Sequence, residues 1–258
     1  MDPIADSHVH LDDTCFDGDR SDVLARAEAA GVGALIVPGI DAANWPRIKT
    51  LCAQHAGLFP AYGLHPLLLA RHRPEHLDAL PTWCADGKAV AVGEIGLDFF
   101  VPGLDPGMQR HYFRSQLELA RELDLPVIVH ARRAVEEVIL TLRGVPGLRG
   151  VVHSFAGSEE QAARLWDLGF HLGIGGPVTY PRAQRLRRLV AGMPLEFLLL
   201  ETDAPDQPDA GHRGQRNEPA YIVDILHCVA DLRAQPVADI AMAVTANTRR
   251  LFGLDRAG

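Results

Sequence analysis

The sequence predicts an α/β protein, a (β/α)8 TIM barrel built as one domain over residues 1–258. Three observations predict it. Short β-branched runs alternate with longer amphipathic stretches, and eight such runs can be counted. The length suits one barrel better than two small domains joined by a linker, and no Pro/Gly-rich or Ser-rich linker interrupts the chain. Residues able to bind metal cap the apolar runs, where a barrel of this kind carries its active site. An open doubly wound sheet fits the same alternation and stays an alternative at this level.

The elements follow in order. Residues 4–10, "IADSHVH", form the first strand, and a helix is expected over 22–30. Residues 34–38 and 58–64 supply the second and third strands, with a helix over 43–55 between them. The fourth strand spans 89–94 and precedes "PGMQRHYFRSQLELARELDL", where Phe113, Leu117, Ala120 and Leu123 recur at helical steps of three and four. Residues 126–130, 150–153 and 170–173 are the next strands, each with a helix behind it, at 134–142, 158–168 and 181–190. The eighth strand, 197–201, is followed by "EPAYIVDILHCVADL" and "VADIAMAVTANTRRLFG", two further helices.

A hydrophobic content of 47% and a charged content of 22% describe an ordinary globular protein. No apolar run approaches the roughly 20 residues of a membrane helix, and no basic, then apolar, leader opens the chain, so a cytoplasmic protein without membrane contact is expected. Cys15, Cys52, Cys84 and Cys228 are scattered without C-x-x-C spacing, which excludes a disulfide framework and a zinc knuckle. The formal net charge of −8 excludes a broad basic coat for nucleic acid, so any polyanion must be gripped locally. No heptads announce a coiled coil, and a monomer or weak oligomer is expected.

Residues two apart on a strand share a face, so His8 and His10 converge, with Asp6 on the same parity. Glu94 ends "AVAVGE", His130 ends "LPVIVH", His153 ends "GVVH" and Asp203 follows "EFLLLETD". One such ending is most simply a hydrogen-bonded core residue. Four imidazoles and two carboxylates gathered at one barrel mouth would repel and desolvate one another unless cations held them. Six ligands exceed one four-coordinate zinc with an open position, so two divalent ions are expected. His8, His10 and Asp203 are assigned to one, His130 and His153 to the other, and Glu94 to both. Mixed imidazole and carboxylate ligation suits Zn, Mn, Fe, Co or Ni, and also Mg if weakly bound. Asp203 either ligates only or also takes the proton of the attacking water. Glu201 either faces the site or pairs with an arginine. Lys88 precedes the fourth strand and Glu94 holds the bridging place, which disfavours a carboxylated-lysine bridge.

The set "DSHVHLD", "GLHP", "AVGEIGLDFF", "QLELARELDLPVIVH", "VVHSFAGS", "LLLETDAP", "RNEP" and "NTRRLFGL" resembles the TatD family of metal-dependent deoxyribonucleases, within the amidohydrolase-like superfamily. The resemblance spans nearly the whole chain, in order. It implies a TIM barrel, a two-metal centre and hydrolysis, with 3′ to 5′ DNA exonuclease activity in some members. It carries the ligand role onto His8, His10, Glu94, His130, His153 and Asp203. Relatives that remove D-amino acids from tRNA belong to the same family. Two departures touch the rim: Leu67 stands where many members carry a second histidine, and "HARRA" places Arg132 and Arg133 where many have an aspartate after the arginine.

For the substrate, His65 beyond the third strand either contacts a phosphate, protonates a leaving group or makes a loop hydrogen bond. Arg182 near a helix start after a glycine-rich turn, Arg132 beside His130, and Arg216 in "RGQRNEP" are expected to touch it, whereas Arg185 and Arg188 read as a solvated face. No aromatic-interleaved basic strip appears, so contact with a strand end is expected rather than a long channel. The expected function is a two-metal phosphodiesterase, a deoxyribonuclease acting at DNA strand ends as a 3′ to 5′ exonuclease, with Asp203 and Glu94 catalytic and nucleic-acid strand ends as the partner. Hydrolysis of another ester or amide, including an aminoacyl ester on tRNA, is the alternative, and a silent metal-binding scaffold is the third.

Overall fold

The computed structural model describes residues 3–254; residues 1–2 and 255–258, the ends of the expected domain, lie outside the described residues. Eight parallel strands pair in chain order: β1 (Ile4–Asp6), β2 (Val32–Pro38), β3 (Leu58–Tyr62), β4 (Ala91–Asp98), β5 (Val127–Arg132), β6 (Gly150–Val152), β7 (Phe170–Ile174) and β8 (Leu198–Leu200). The helices are α1 (Arg20–Ala29), α2 (Trp45–Gln54), α3 (Pro74–Asp86), α4 (Pro106–Glu122), α5 (Val135–Arg143), α6 (Glu159–Asp167), α7 (Gln184–Gly192), α8 (Ile222–Arg233) and α9 (Val237–Phe252). Strand order without reversal excludes the doubly wound alternative. The sheet closes just past the ends of β1 and β8. There the Ser7 amide and hydroxyl donate to the Leu200 carbonyl at 3.0 and 2.9 Å, and the Asp203 amide donates to the His8 carbonyl at 2.9 Å. No helix among the described residues is long and apolar enough to cross a membrane.

Strand alternation sorts the apolar side chains into two layers. Ala34 and Ile36 of β2 join Ala5, Ala61, Ala91, Ile128, Val151 and Leu199 in an inner cluster, while Leu35 and Val37 join the shell between strands and helices. Four alanines on the first four strands suit a narrow interior. Leu251 and Phe252, at the end of α9, pack into the same inner cluster and stopper the barrel. The carboxyl ends of the strands are left as the mouth.

Several strands are shorter than expected. The ladder of β1 ends at Asp6, of β6 at Val152 and of β8 at Leu200, so His8, His10, His153 and Glu201 lie just past regular pairing, where the chain turns out into the mouth. The fourth strand does the reverse: it runs on to Asp98, which puts Glu94 in mid-strand. Gly96 permits this, with φ at +140° and a backbone so close to β5 that a Cβ would lie 2.0 Å from the His130 carbonyl oxygen. Helix α3 is not among the expected helices. Pro74 and Pro81 break the periodic reading, yet Leu80 and Cys84 are buried on one face.

Two glutamines seven residues apart on α4 hold the mouth in place. The Gln109 side chain accepts from the Asp98 amide and donates to the Asp98 carbonyl, both at 2.8 Å. Gln116 accepts from the Leu64 amide at 2.7 Å and donates to the Leu64 carbonyl at 3.2 Å. Both are buried, and each substitutes for a missing strand partner. Gln116→Leu strands a buried amide and a carbonyl, each costing about 1–3 kcal/mol. The variant is expected to lose about 2–4 kcal/mol of stability by urea unfolding.

Candidate metal centre

Glu94 occupies the centre of the mouth, almost wholly buried, and its two oxygens face different partners. Oε2 lies 3.4 Å from His8 Nε2 and 3.6 Å from His10 Nε2. Oε1 lies 3.2 Å from His130 Nδ1 and 2.8 Å from His153 Nε2. Asp203 Oδ1 approaches His8 and His10 at 3.5 and 3.6 Å. The structure therefore brings all six expected ligands together, although His8 and His10 stand beyond the paired strand. Their Nε2 atoms are 3.1 Å apart, and the His8 ring stacks on that of His153 with centroids 4.0 Å apart.

The donor set suits divalent cations. His130 Nε2 donates to Asp98 Oδ2 at 2.9 Å, which leaves Nδ1 a lone pair facing the Glu94 carboxylate. A lone pair against a carboxylate is repulsive, so either the ring takes a second proton, which Asp98 and Glu94 favour against burial, or a cation lies between the two groups. Burial favours a neutral Glu94, but the imidazoles of His65, His153 and His8 outweigh it and hold its pKa well below the carboxylate range. Burial likewise disfavours a charged His153, yet Glu94 and Glu201 prevail and raise it well above the usual histidine value. Burial pushes Asp203 up to about 6 against the pull of His153 and His10. Cations held between these nitrogens and oxygens meet the same demand.

Outer partners fix the inner ones. Asp98 Oδ1 accepts from the amides of Phe100 and Val101 at 2.9 and 3.1 Å while Oδ2 holds His130. Asp98 was not among the expected site residues; it shares strand parity with Glu94, the signal already used for His8 and His10. Glu201 faces the site rather than an arginine: Oε1 accepts from the Ser154 amide at 2.5 Å and lies 3.7 Å from His153 Nδ1. Asp6 turns away from the ligands and accepts from the His8 amide and from the amide and hydroxyl of Thr202, bracketing β1 to the end of β8. Gln207, also unforeseen, donates to Asp203 Oδ2 and accepts from the Ser154 hydroxyl.

The expected substrate residues divide. His65 lines the mouth but is committed within it: the Leu67 amide donates to Nδ1 at 3.1 Å, so Nε2 carries the proton and donates to Glu94 Oε1 at 3.0 Å. Arg132 lines a cavity of about 1160 Å³ that opens from Glu94, as do Arg133 and Arg185. Arg182 lies beyond it, in an adjoining cavity of about 520 Å³ that shares Ser154, Gly157, Arg185 and Gln207 with the first. Arg185 and Arg188 also line that adjoining cavity, rather than forming a wholly solvated face. Arg216 is a correction. Its guanidinium is taken by Asp19 and Glu218, at 2.6 and 2.9 Å, and by the Cys15 carbonyl, so it staples the segment after β8 to the start of α1 and lines neither cavity.

The model of TatD related DNase matches residues 5–253. The chain is similar to the uncharacterized metal-dependent hydrolase YjjV of Escherichia coli K12, 43% identical over 254 residues and covering 96% of this chain and 97% of that one. It is similar to the 3′-5′ ssDNA/RNA exonuclease TatD of Klebsiella pneumoniae, 35% identical over 261 residues and covering 97% and 98%. The crystal structure of YjjV superposes with a TM-score of 0.93 at 41% identity, covering 97% of this chain and 98% of that one.

Asp98→Asn keeps an oxygen for the Phe100 and Val101 amides but turns an N–H toward His130 Nε2, reversing the tautomer. It is expected to weaken metal binding by about 10–100-fold in calorimetric titration with Mn²⁺ or Zn²⁺; unchanged affinity would show that Asp98 does not orient His130.

Proposed function

The chain belongs to the TatD-related DNase family of metal-dependent hydrolases, and we propose that its reaction is the stepwise removal of nucleotides from the 3′ ends of DNA strands by a two-metal centre. The observation that carries this reading is the division of charge around the large cavity. Asp12, Asp13 and Asp206 line it on the side of β1 and β8, and Arg132, Arg133 and Arg185 on the side of β5 to β7, where the one carboxylate, Glu136, is taken by Arg164. Nine other arginines sit against Asp or Glu among the described residues. The three at the cavity form no such pair among them. In a chain of net charge −8, unpaired guanidiniums confined to one wall beside the ligands suit a phosphate backbone laid along that wall and turned away from the other.

Divalent ions at His8, His10 and Asp203 and at His130 and His153, with Glu94 between, would supply Lewis acidity at the phosphate oxygens and lower the pKa of water. The chain's own part is proton handling and orientation. Asp203 accepts a proton from the attacking water, whose oxygen bonds to phosphorus as the P–O3′ bond breaks, and the departing 3′ oxygen takes up a proton from solvent at the open mouth. Gln207 holds the Asp203 carboxylate in place, and His65 keeps Glu94 fixed by its N–H. The direction of digestion follows the similarity to the Klebsiella enzyme.

The test is a time course on 5′-labelled single- and double-stranded oligonucleotides with Mn²⁺, Mg²⁺ or Zn²⁺. A ladder shortening from the 3′ end is expected, absent with EDTA and in Asp203→Asn. Full activity of Asp203→Asn would remove the proton-accepting role. No digestion with any of the three metals, together with turnover of carboxyl esters or charged tRNA, would move the substrate to acyl esters. Activity is also expected to fall with salt, log kcat/KM against log salt sloping by about −0.7 per neutralised phosphate, and Arg132→Gln is expected to flatten the slope by about one such unit.

A further inference from the structure

Glu201 is buried outright, and no step of the reaction above uses it. Its Oε1 accepts from the Ser154 amide, while Oε2 has no partner among the described residues. Two other buried atoms are in the same condition, Nδ1 of His8 and Nδ1 of His153. One nitrogen of each ring and one oxygen of Glu201 lie within 4.8 Å of one another, and His153 Nδ1 is 3.7 Å from Oε1. A buried polar atom is costly to leave unpaired, and three so close together call for a common explanation.

The fold makes room for this carboxylate. A Cβ on Gly173 of β7 would lie 2.1 Å from Oε2, so only glycine admits the side chain there. Ser154, just past β6, takes φ at +47°, a conformation uncommon for a residue with a side chain, and its amide is the one on Oε1.

Ligand chemistry explains the three unpaired atoms. Nε2 of each ring faces the Glu94 carboxylate, at 3.4 Å in His8 and 2.8 Å in His153, and is the nitrogen that offers its lone pair to an ion. A neutral imidazole ligating through Nε2 carries its proton on Nδ1. His8 and His153 then hold two buried N–H donors near one acceptor. His130 ligates through its other nitrogen, and Asp98 takes its N–H. Resting on the two-ion reading, we propose that Glu201 is a positioning residue for both metals: with the ions bound, its carboxylate accepts from Nδ1 of His8, a ligand of one, and from Nδ1 of His153, a ligand of the other, fixing both tautomers and both ring orientations. The 3.7 Å to His153 exceeds hydrogen-bond length, and a small turn of the ring closes it. A third ion on the same three side chains would require each ring to give up both its protons, which a neutral imidazole does not do.

The experiment titrates Zn²⁺ into protein labelled with ¹⁵N-histidine, reading each ring's tautomer by long-range ¹H–¹⁵N correlation and the ions bound by calorimetry. Two Zn²⁺ per chain are expected, with His8 and His153 protonated on Nδ1 and His130 on Nε2. Glu201→Gln turns an NH₂ toward the rings when its oxygen stays on the Ser154 amide. It is expected to shift the Nδ1–H signals of His8 and His153, to leave the Nε2–H signal of His130 in place, and to weaken both Zn²⁺ steps by about 10–100-fold. Asp98→Asn is expected to move His130 alone. Two Zn²⁺ with His8 or His153 protonated on Nε2 overturns the proposal by itself, a result read on wild type without any variant. Nδ1–H signals unmoved in Glu201→Gln overturn it too, as does a third Zn²⁺ lost in that variant, which makes Glu201 a ligand. Fewer than two Zn²⁺ per chain overturns the two-ion reading and the proposal together.

Discussion

One buried carboxylate organises this protein. Glu94 presents one oxygen to His8 and His10 and the other to His130 and His153, so four imidazoles from three parts of the chain are referred to a single side chain. A carboxylate in such a place is tolerable only if positive charge stays on both sides of it. The same condition that makes Glu94 costly to bury makes the pocket fit for divalent cations. His65 adds a neutral N–H donor to the same oxygen that faces His130 and His153, limiting how far the carboxylate can rotate.

The barrel has to hold these groups where regular pairing stops. It does so by replacing absent strand partners with side chains. Gln109 and Gln116 each close on a backbone amide and carbonyl at the mouth, Asp6 binds the amides of His8 and Thr202, and Asp98 joins the loop after β4 to His130. Each clamp is buried or nearly so, where a hydrogen bond is costly to leave unmade and therefore strongly directional in its effect. The narrow alanine-lined interior and the stopper from α9 rigidify the other end.

Charge is handled separately from the net total. Most arginines with nearby carboxylates are neutralised on the outer surface, as Arg216 is by Asp19 and Glu218. Arg132, Arg133 and Arg185 on the β5 to β7 side of the cavity have no carboxylate partner among the described residues, and the opposing wall is acidic. An overall acidic protein can thereby present a local cationic track without a general affinity for polyanions.

The order of the strands, the position of the mouth and the six residues that cluster there were legible in the sequence, because each is written in local periodicity or at the end of an apolar run. What the linear chain does not carry is which atoms meet across strands. The tautomer of His130 depends on Asp98, the commitment of His65 on Leu67 and Glu94, and the removal of Arg216 from the substrate side on Asp19 and Glu218. Helix α3 escaped because two prolines interrupt its period, and the pairing of Phe100 with Arg132 and Arg133 because it crosses from one strand top to the next. Periodicity tells which face a residue joins; only closure of the barrel decides its neighbour there, since hydrogen bonds and ion pairs depend on distances of a few ångströms that sequence separation does not encode.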